Sequence, residues 1–162
     1  MQISKNITYQ EGIKSVTAVK NKIDNTPDKD QLANMKVLAN KVFEPLRSGL
    51  GDKPINIAIF FRSPELNKAV GGSKGSQHME GKAMDIDNDI YKKGPTNKQI
   101  FEYIKDNLEF DQLINEFPDE QGNPSWVHVS YNKGNNRKQI LVAKHGKDWK
   151  GSVITTYEIY NG

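Results

Sequence analysis

Three side chains in this sequence have the types and spacing to hold a metal ion: His78, Asp85 and His128. Cysteine is absent. Disulfides and thiolate sites are therefore excluded, and any metal must use His, Asp or Glu. Two imidazoles and one carboxylate form the donor set of a catalytic zinc site, with a fourth position open to water. His78 and Asp85 lie on either side of Gly81 and converge if the chain turns there. His128 sits in the run Trp126-Val127-His128-Val129. A strand over that run presents His128 on one face with Trp126 and Ser130, and sends Val127 and Val129 to the other. The bland alternatives carry weight. A histidine inside a strand more often makes an internal hydrogen bond than binds a metal, and an aspartate ending a strand is more often a cap. Spacing alone therefore yields candidates only. The remaining histidine, His145, lies in Lys144-His145-Gly146-Lys147 and reads as a solvated turn residue.

The elements that must position these side chains are legible in the pattern. Residues 1–26 are polar with scattered apolar positions, an N-terminal arm expected to pack on the domain. Thr26-Pro27-Asp28 reads as a helix start, with Thr26 capping and Pro27 in the first turn. Leu32, Met35, Leu38, Ala39, Val42 and Leu46 follow at helical spacing until Gly49 and Gly51 stop the helix. Ile55 to Phe61 predicts a buried strand, and Ser63-Pro64 a second helix start. Gly71 to Gly81 holds four glycines and must be a loop; a long loop in a small domain is usually functional or disordered. Ala83 to Asp87 predicts a strand leaving it. Thr96 to Leu108 is an amphipathic helix. Phe110 to Phe117 and Trp126 to Tyr131 predict a hairpin closed by a turn with Pro118, Gly122, Asn123 and Pro124. Gln139 to Ala143 and Val153 to Tyr160 are further strands. The fold class is α+β: one domain over residues 1–162, with a mostly antiparallel sheet and flanking helices.

Composition bounds the function. The chain has 162 residues, 35% hydrophobic and 27% charged, which suits one soluble globular domain. No apolar run approaches the roughly 20 residues of a membrane span, so no membrane partner is expected. The first residues are polar and do not resemble a signal peptide, so a cytoplasmic origin is expected, with lysis or a delivery system needed to reach the outside. The net charge of +3 is mild. No basic run with interleaved aromatics points to nucleic acid. A monomer is expected.

Several segments together resemble one family. Ser76 to Asp87, SQHMEGKAMDID, is similar to the S-x-H-x-x-G-x-A-x-D signature of the zinc D-alanyl-D-alanine carboxypeptidases. That family includes vancomycin-resistance dipeptidases and phage L-alanyl-D-glutamate endopeptidases, and the hedgehog signalling domain is a distant relative. FRSPELNKAVGGS, Phe61 to Ser73, resembles the family's arginine segment, and WVHVSY, Trp126 to Tyr131, the strand bearing the last ligand. SKNITYQEGIKSVTA near the start and the helix ending FEPLR resemble the small phage and bacterial branch. The order is the family's, and the resemblance covers nearly the whole chain.

The resemblance implies a hedgehog/DD-peptidase-like fold, Zn2+ as cofactor, and His78, Asp85 and His128 as its ligands. It implies that Arg62 binds a substrate carbonyl or carboxylate and stabilises developing negative charge. It also implies a general base three residues before the last ligand, as several members have. That place holds Ser125, which cannot act as one. Glu116, across the expected hairpin and opposite Ser125 or Trp126, is the substitute, provided the register puts it on the face of His128. The alternative is a solvated glutamate on an edge strand, and Asp119 and Glu120 on the loop are other candidate bases. Ser76 is a candidate for orienting substrate or a ligand, Gln77 for assisting, and Trp126 for walling the cleft or filling the core. Asp87 reads either as a carboxylate holding a ligand imidazole or as a turn residue. Ile59 and Phe60 replace a small Ser-Gly pair of the family. The function implied is a zinc peptidase acting on the peptidoglycan stem peptide next to a D-amino acid. D-Ala-D-Ala carboxypeptidase activity comes first and L-Ala-D-Glu endopeptidase activity second, in a phage endolysin or virion-associated lysin. The alternative is a non-catalytic zinc-binding or structural module that keeps the fold.

Overall fold

Local capping chemistry decides where the helices begin. In a computed structural model describing residues 1–162, β1 (Gln2–Ser4) and β2 (Ile7–Thr8) form a small hairpin that leads into α1 (Tyr9–Ile13) and α2 (Val16–Asn21). The arm is tied down: Ile3 and Ile7 lie in the main hydrophobic cluster. The first long helix, α3 (Lys29–Leu38), starts two residues later than the Thr-Pro signal predicts. Asp28 is its cap, accepting from the Gln31 N–H while the Gln31 side chain accepts from the Asp28 N–H. This reciprocal pair satisfies two free donors at once, which Thr26 does not match. The rod continues through a wide π turn (Ala39–Phe43) into α4 (Glu44–Gly49). Met35, Leu38, Val42, Phe43 and Leu46 are fully buried along it.

The strand expected over 55–61 is shorter, β3 (Ile57–Ile59). Ser63 caps α5 (Pro64–Ala69), with proline in the first turn as expected. The glycine-rich loop ends in a 3-10 turn (Gln77–Glu80) that feeds β4 (Ala83–Ile86). Helix α6 (Asn97–Asn107) begins at a Thr96 capping box. β5 (Gln112–Glu116), β6 (Trp126–Ser130), β7 (Gln139–Lys147) and β8 (Val153–Ile159) complete the chain. β7 runs farther than expected and takes in His145, which is therefore an exposed strand residue and not part of a turn.

The six-stranded sheet has the order β3-β4-β6-β5-β7-β8. All neighbours are antiparallel except β5 and β7, which are parallel. Alternation separates its two faces. Met84, Ile86, Leu113, Val127 and Val129 point into the core with residues of α3, α4 and α6. Asp85, His128, Ile114 and Glu116 occupy the opposite face. No helix is long and apolar enough to cross a membrane.

Candidate metal centre

Register builds the centre. In the ladder between β4 and β6, Asp85 is the direct partner of His128, so the carboxylate and the imidazole emerge side by side on the same face. His78 arrives from the 3-10 turn. Ser76 caps that turn and accepts from the His78 N–H at 3.3 Å. Gly81 ends it with φ +71, the left-handed conformation that glycine adopts freely. A Cβ there would also lie 2.4 Å from the Gln31 carbonyl oxygen. The turn is thus held against α3, and Gln31 reinforces this by donating to the Met79 carbonyl.

The three side chains converge. One ligand atom from each of His78, Asp85 and His128 lies within 4.8 Å of the others. Asp85 Oδ1 is 3.3 Å from His78 Nε2 and 2.9 Å from His128 Nδ1. Donors at zinc's usual bond lengths in a tetrahedron stand about 3.3 Å apart, so the donor set fits such an ion with small adjustments. His78 is also oriented for ligation. Its Nδ1 is 2.7 Å from the Phe60 carbonyl oxygen. A carbonyl only accepts, so Nδ1 carries a hydrogen and Nε2 is the nitrogen turned to the centre. The bulky Phe60 that departs from the family's small pair buries its ring in the core and contributes through its backbone. Burial alone would raise the Asp85 pKa, but the two imidazoles outweigh it and hold the carboxyl far below the ordinary range.

Glu116 stands on the same face. Its partner across the hairpin is Trp126, and His128 is paired with Ile114. Glu116 and His128 are therefore diagonal neighbours, with Cα atoms about 7–8 Å apart. β5 lies inside the sheet, between β6 and β7, so the solvated edge-strand reading of Glu116 does not hold. The residue is 7% exposed. Burial pushes its pKa up to about 7; His128 opposes the rise and the charge of Asp85 adds to it. Ser125 donates its hydroxyl to the Phe117 carbonyl and offers no base.

Arg62 is half-buried. Its backbone N–H donates to the His78 carbonyl, which ties the arginine segment to the ligand turn. Its Nε is buried without a hydrogen-bond partner. Burial lowers the guanidinium pKa, and the charge of Asp85 partly restores it. The other expected residues divide. Trp126 is half-buried on the face of His128, its ring centroid 5.3 Å from that of Phe117. Gln77 turns its amide to Asp111 Oδ2 at 3.0 Å, a carboxylate that Arg137 also grips. Asp87 accepts from Asn97 and holds no ligand imidazole. Asp119 is spent on its own turn, accepting from Gln121 and Asn123. Sequence reading marked Phe60 for its bulk and missed its carbonyl, because any residue type supplies one.

The chain is 44% identical over 43 residues to the zinc D-Ala-D-Ala carboxypeptidase of Streptomyces albus G, a stretch covering 26% of this chain and 17% of that protein. A family model, Peptidase M15, matches residues 5–130. That span carries His78, Asp85, His128, Arg62 and Glu116 together with the strands that align them, and the chain belongs to the peptidase M15 family.

Proposed function

We propose that the protein is a zinc peptidase that hydrolyses a stem-peptide bond of peptidoglycan next to a D-amino acid. The observation that carries this reading is one buried carboxyl, Glu116, standing beside a convergent His-Asp-His set on the sheet face opposite the main core. Zinc held by His78, Asp85 and His128 would supply Lewis-acid polarisation of the scissile carbonyl and make water a better nucleophile near neutral pH. Glu116, with its pKa near 7, takes a proton from the attacking water as the new C–O bond forms. It then delivers that proton to the departing amine nitrogen as the C–N bond breaks. Arg62, whose guanidinium feels the charge of Asp85, meets the negative charge that builds on the carbonyl oxygen, or the carboxylate of a terminal residue; its planar fork suits either. Ser76 keeps the His78 turn in place, and Trp126 forms one wall.

The D-Ala-D-Ala carboxypeptidase reaction is the first choice, supported by the carboxypeptidase similarity, and the L-Ala-D-Glu endopeptidase reaction is second. The resemblance to small phage and bacterial enzymes supports a lysin that is made in the cytoplasm and reaches the wall on lysis or delivery.

Zinc-loaded protein incubated with stem pentapeptide and analysed by mass spectrometry tests the reading. Release of D-alanine, or of the fragments of internal cleavage, is expected. Glu116→Gln should lower kcat by about 10²–10⁴-fold, the usual share of a general base, with zinc content unchanged. His128→Ala should lose zinc and keep its far-ultraviolet circular dichroism. Stoichiometric zinc without any stem-peptide cleavage would leave a binding module in place of an enzyme.

A further inference from the structure

The matched family segment ends at residue 130, but the sheet face that carries the metal centre does not. β7 and β8 extend it. Glu116 pairs with Trp126 on one side and with Ala143 of β7 on the other. Ala143 in turn pairs with Tyr157 of β8. Trp126, Glu116, Ala143 and Tyr157 thus form one row across four strands, all on the face of His128. The residue between Glu116 and Tyr157 is the smallest that still has a side chain, and it is fully buried. Tyr157 stands two strands from Glu116, about 10 Å between Cα atoms at normal strand spacing, with only a methyl group between them.

The hairpin is fixed in place relative to the centre. The Phe117 N–H donates to the Ala143 carbonyl at 2.8 Å. The Phe117 ring lies between two others: stacked on His145 of β7 at 4.3 Å and tilted against Trp126 at 5.3 Å. Phe117 adopts φ +47, a conformation that costs a bulky residue energy and that its surroundings must enforce. Tyr157 itself is 57% exposed, a large aromatic open to solvent beside a catalytic face. The carboxyls of Glu116 and Asp85 are near enough that, after burial, they add to a rise in its phenol pKa.

We infer that the β7–β8 hairpin forms a substrate subsite for this centre, in which the ring and hydroxyl of Tyr157 bind the stem peptide on the side of Glu116 away from Asp85. A phenol there offers a flat apolar face for an alanyl or aliphatic stem side chain and an O–H for a peptide carbonyl or carboxylate. Because β7 and β8 lie beyond the matched residues, this subsite would set the chain's own preference among stem peptides. The inference rests on the peptidase reading.

The test compares wild type, Tyr157→Phe and Tyr157→Ala as zinc-loaded proteins on stem tetra- and pentapeptides. Binding of the same peptides to zinc-loaded Glu116→Gln, with and without Tyr157→Ala, provides a second readout. Tyr157→Ala is expected to raise KM and the peptide Kd about tenfold with kcat within about twofold, the mark of lost uniform binding. Tyr157→Phe should raise KM about threefold, since it keeps the ring and loses one hydrogen bond. Zinc content and melting temperature should not move. Unchanged KM and Kd in both variants, with active wild type, would overturn the subsite and leave the peptidase reading standing. A fall in kcat at constant KM would also overturn it. Wild type that neither binds nor cleaves any stem peptide would overturn both.

Discussion

At the scale of single residues, what matters is which polar groups are left with something to do. Most buried polar atoms in a folded protein are paired. Here the Arg62 Nε–H is buried without a partner, and Glu116 is a buried carboxyl with no ion pair. Gln77 and Asp119 lie close by in sequence but are already hydrogen-bonded within the structure. A group that is desolvated and unpaired costs stability, and its retention beside three convergent metal donors is how catalytic groups behave. The guanidinium is the sharpest case. If Arg62 meets the developing oxyanion as proposed, Arg62→Gln should lower kcat/KM by about 10²–10³-fold, in the range of other single oxyanion donors. Zinc content should stay stoichiometric by metal analysis, because no ligand is touched. A variant within fivefold of wild type would return Arg62 to a role in the fold.

Elements set the distances between these groups. β4 and β6 bring Asp85 and His128 together through register, and a slip of one residue would send both to opposite faces. His78 depends on a short turn with a glycine at its end. Gly81→Ala places a Cβ against the Gln31 carbonyl and forces a left-handed φ on alanine. The variant should lose about 2 kcal/mol or more by urea unfolding, and zinc should bind more weakly because the His78 turn must shift. Equal zinc affinity in a destabilised variant would separate the turn from the centre. The β5–β6 hairpin was legible as a pair of strands. That Glu116 pairs with Trp126, one of two expected registers, was not, because loop length alone does not set register when the turn contains two prolines and a glycine.

For the whole molecule, the site-side sheet face and the core balance each other. One face of the sheet buries its apolar residues under the helices, and the other carries a cluster of ionisable groups at low exposure. Stability of the metal-free protein should therefore depend on pH. Glu116 holds its proton more tightly folded, with a pKa about 7, than unfolded, near 4.5. Its contribution is fully present below about pH 4.5 and is lost as pH rises through 7. Glu116→Gln cannot ionise and escapes that loss. Between pH 5 and pH 8 the chelated variant should gain about 2 kcal/mol relative to chelated wild type by urea unfolding. No change in the difference would mean that Glu116 is well solvated.

The sequence by itself determined the family, the α+β class and the three candidate ligands. These are properties of residue type and local order: His-Asp-His with no cysteine, strand alternation that puts Val127 and Val129 opposite His128, and a glycine where the chain must turn. It also placed the start of α5 at Ser63, since capping is chemistry among near neighbours, although at α3 two local caps competed and Asp28 prevailed over Thr26. Tertiary structure decided what depends on contacts between distant segments. It put the Phe60 carbonyl behind His78, and gave Glu116 an interior strand and a raised pKa. It drew His145 into a long strand stacked on Phe117, and it set Tyr157 in line with Glu116. Side-chain type says what a residue can do, whereas desolvation and proximity, which decide what it does, exist only once strands from across the chain lie side by side.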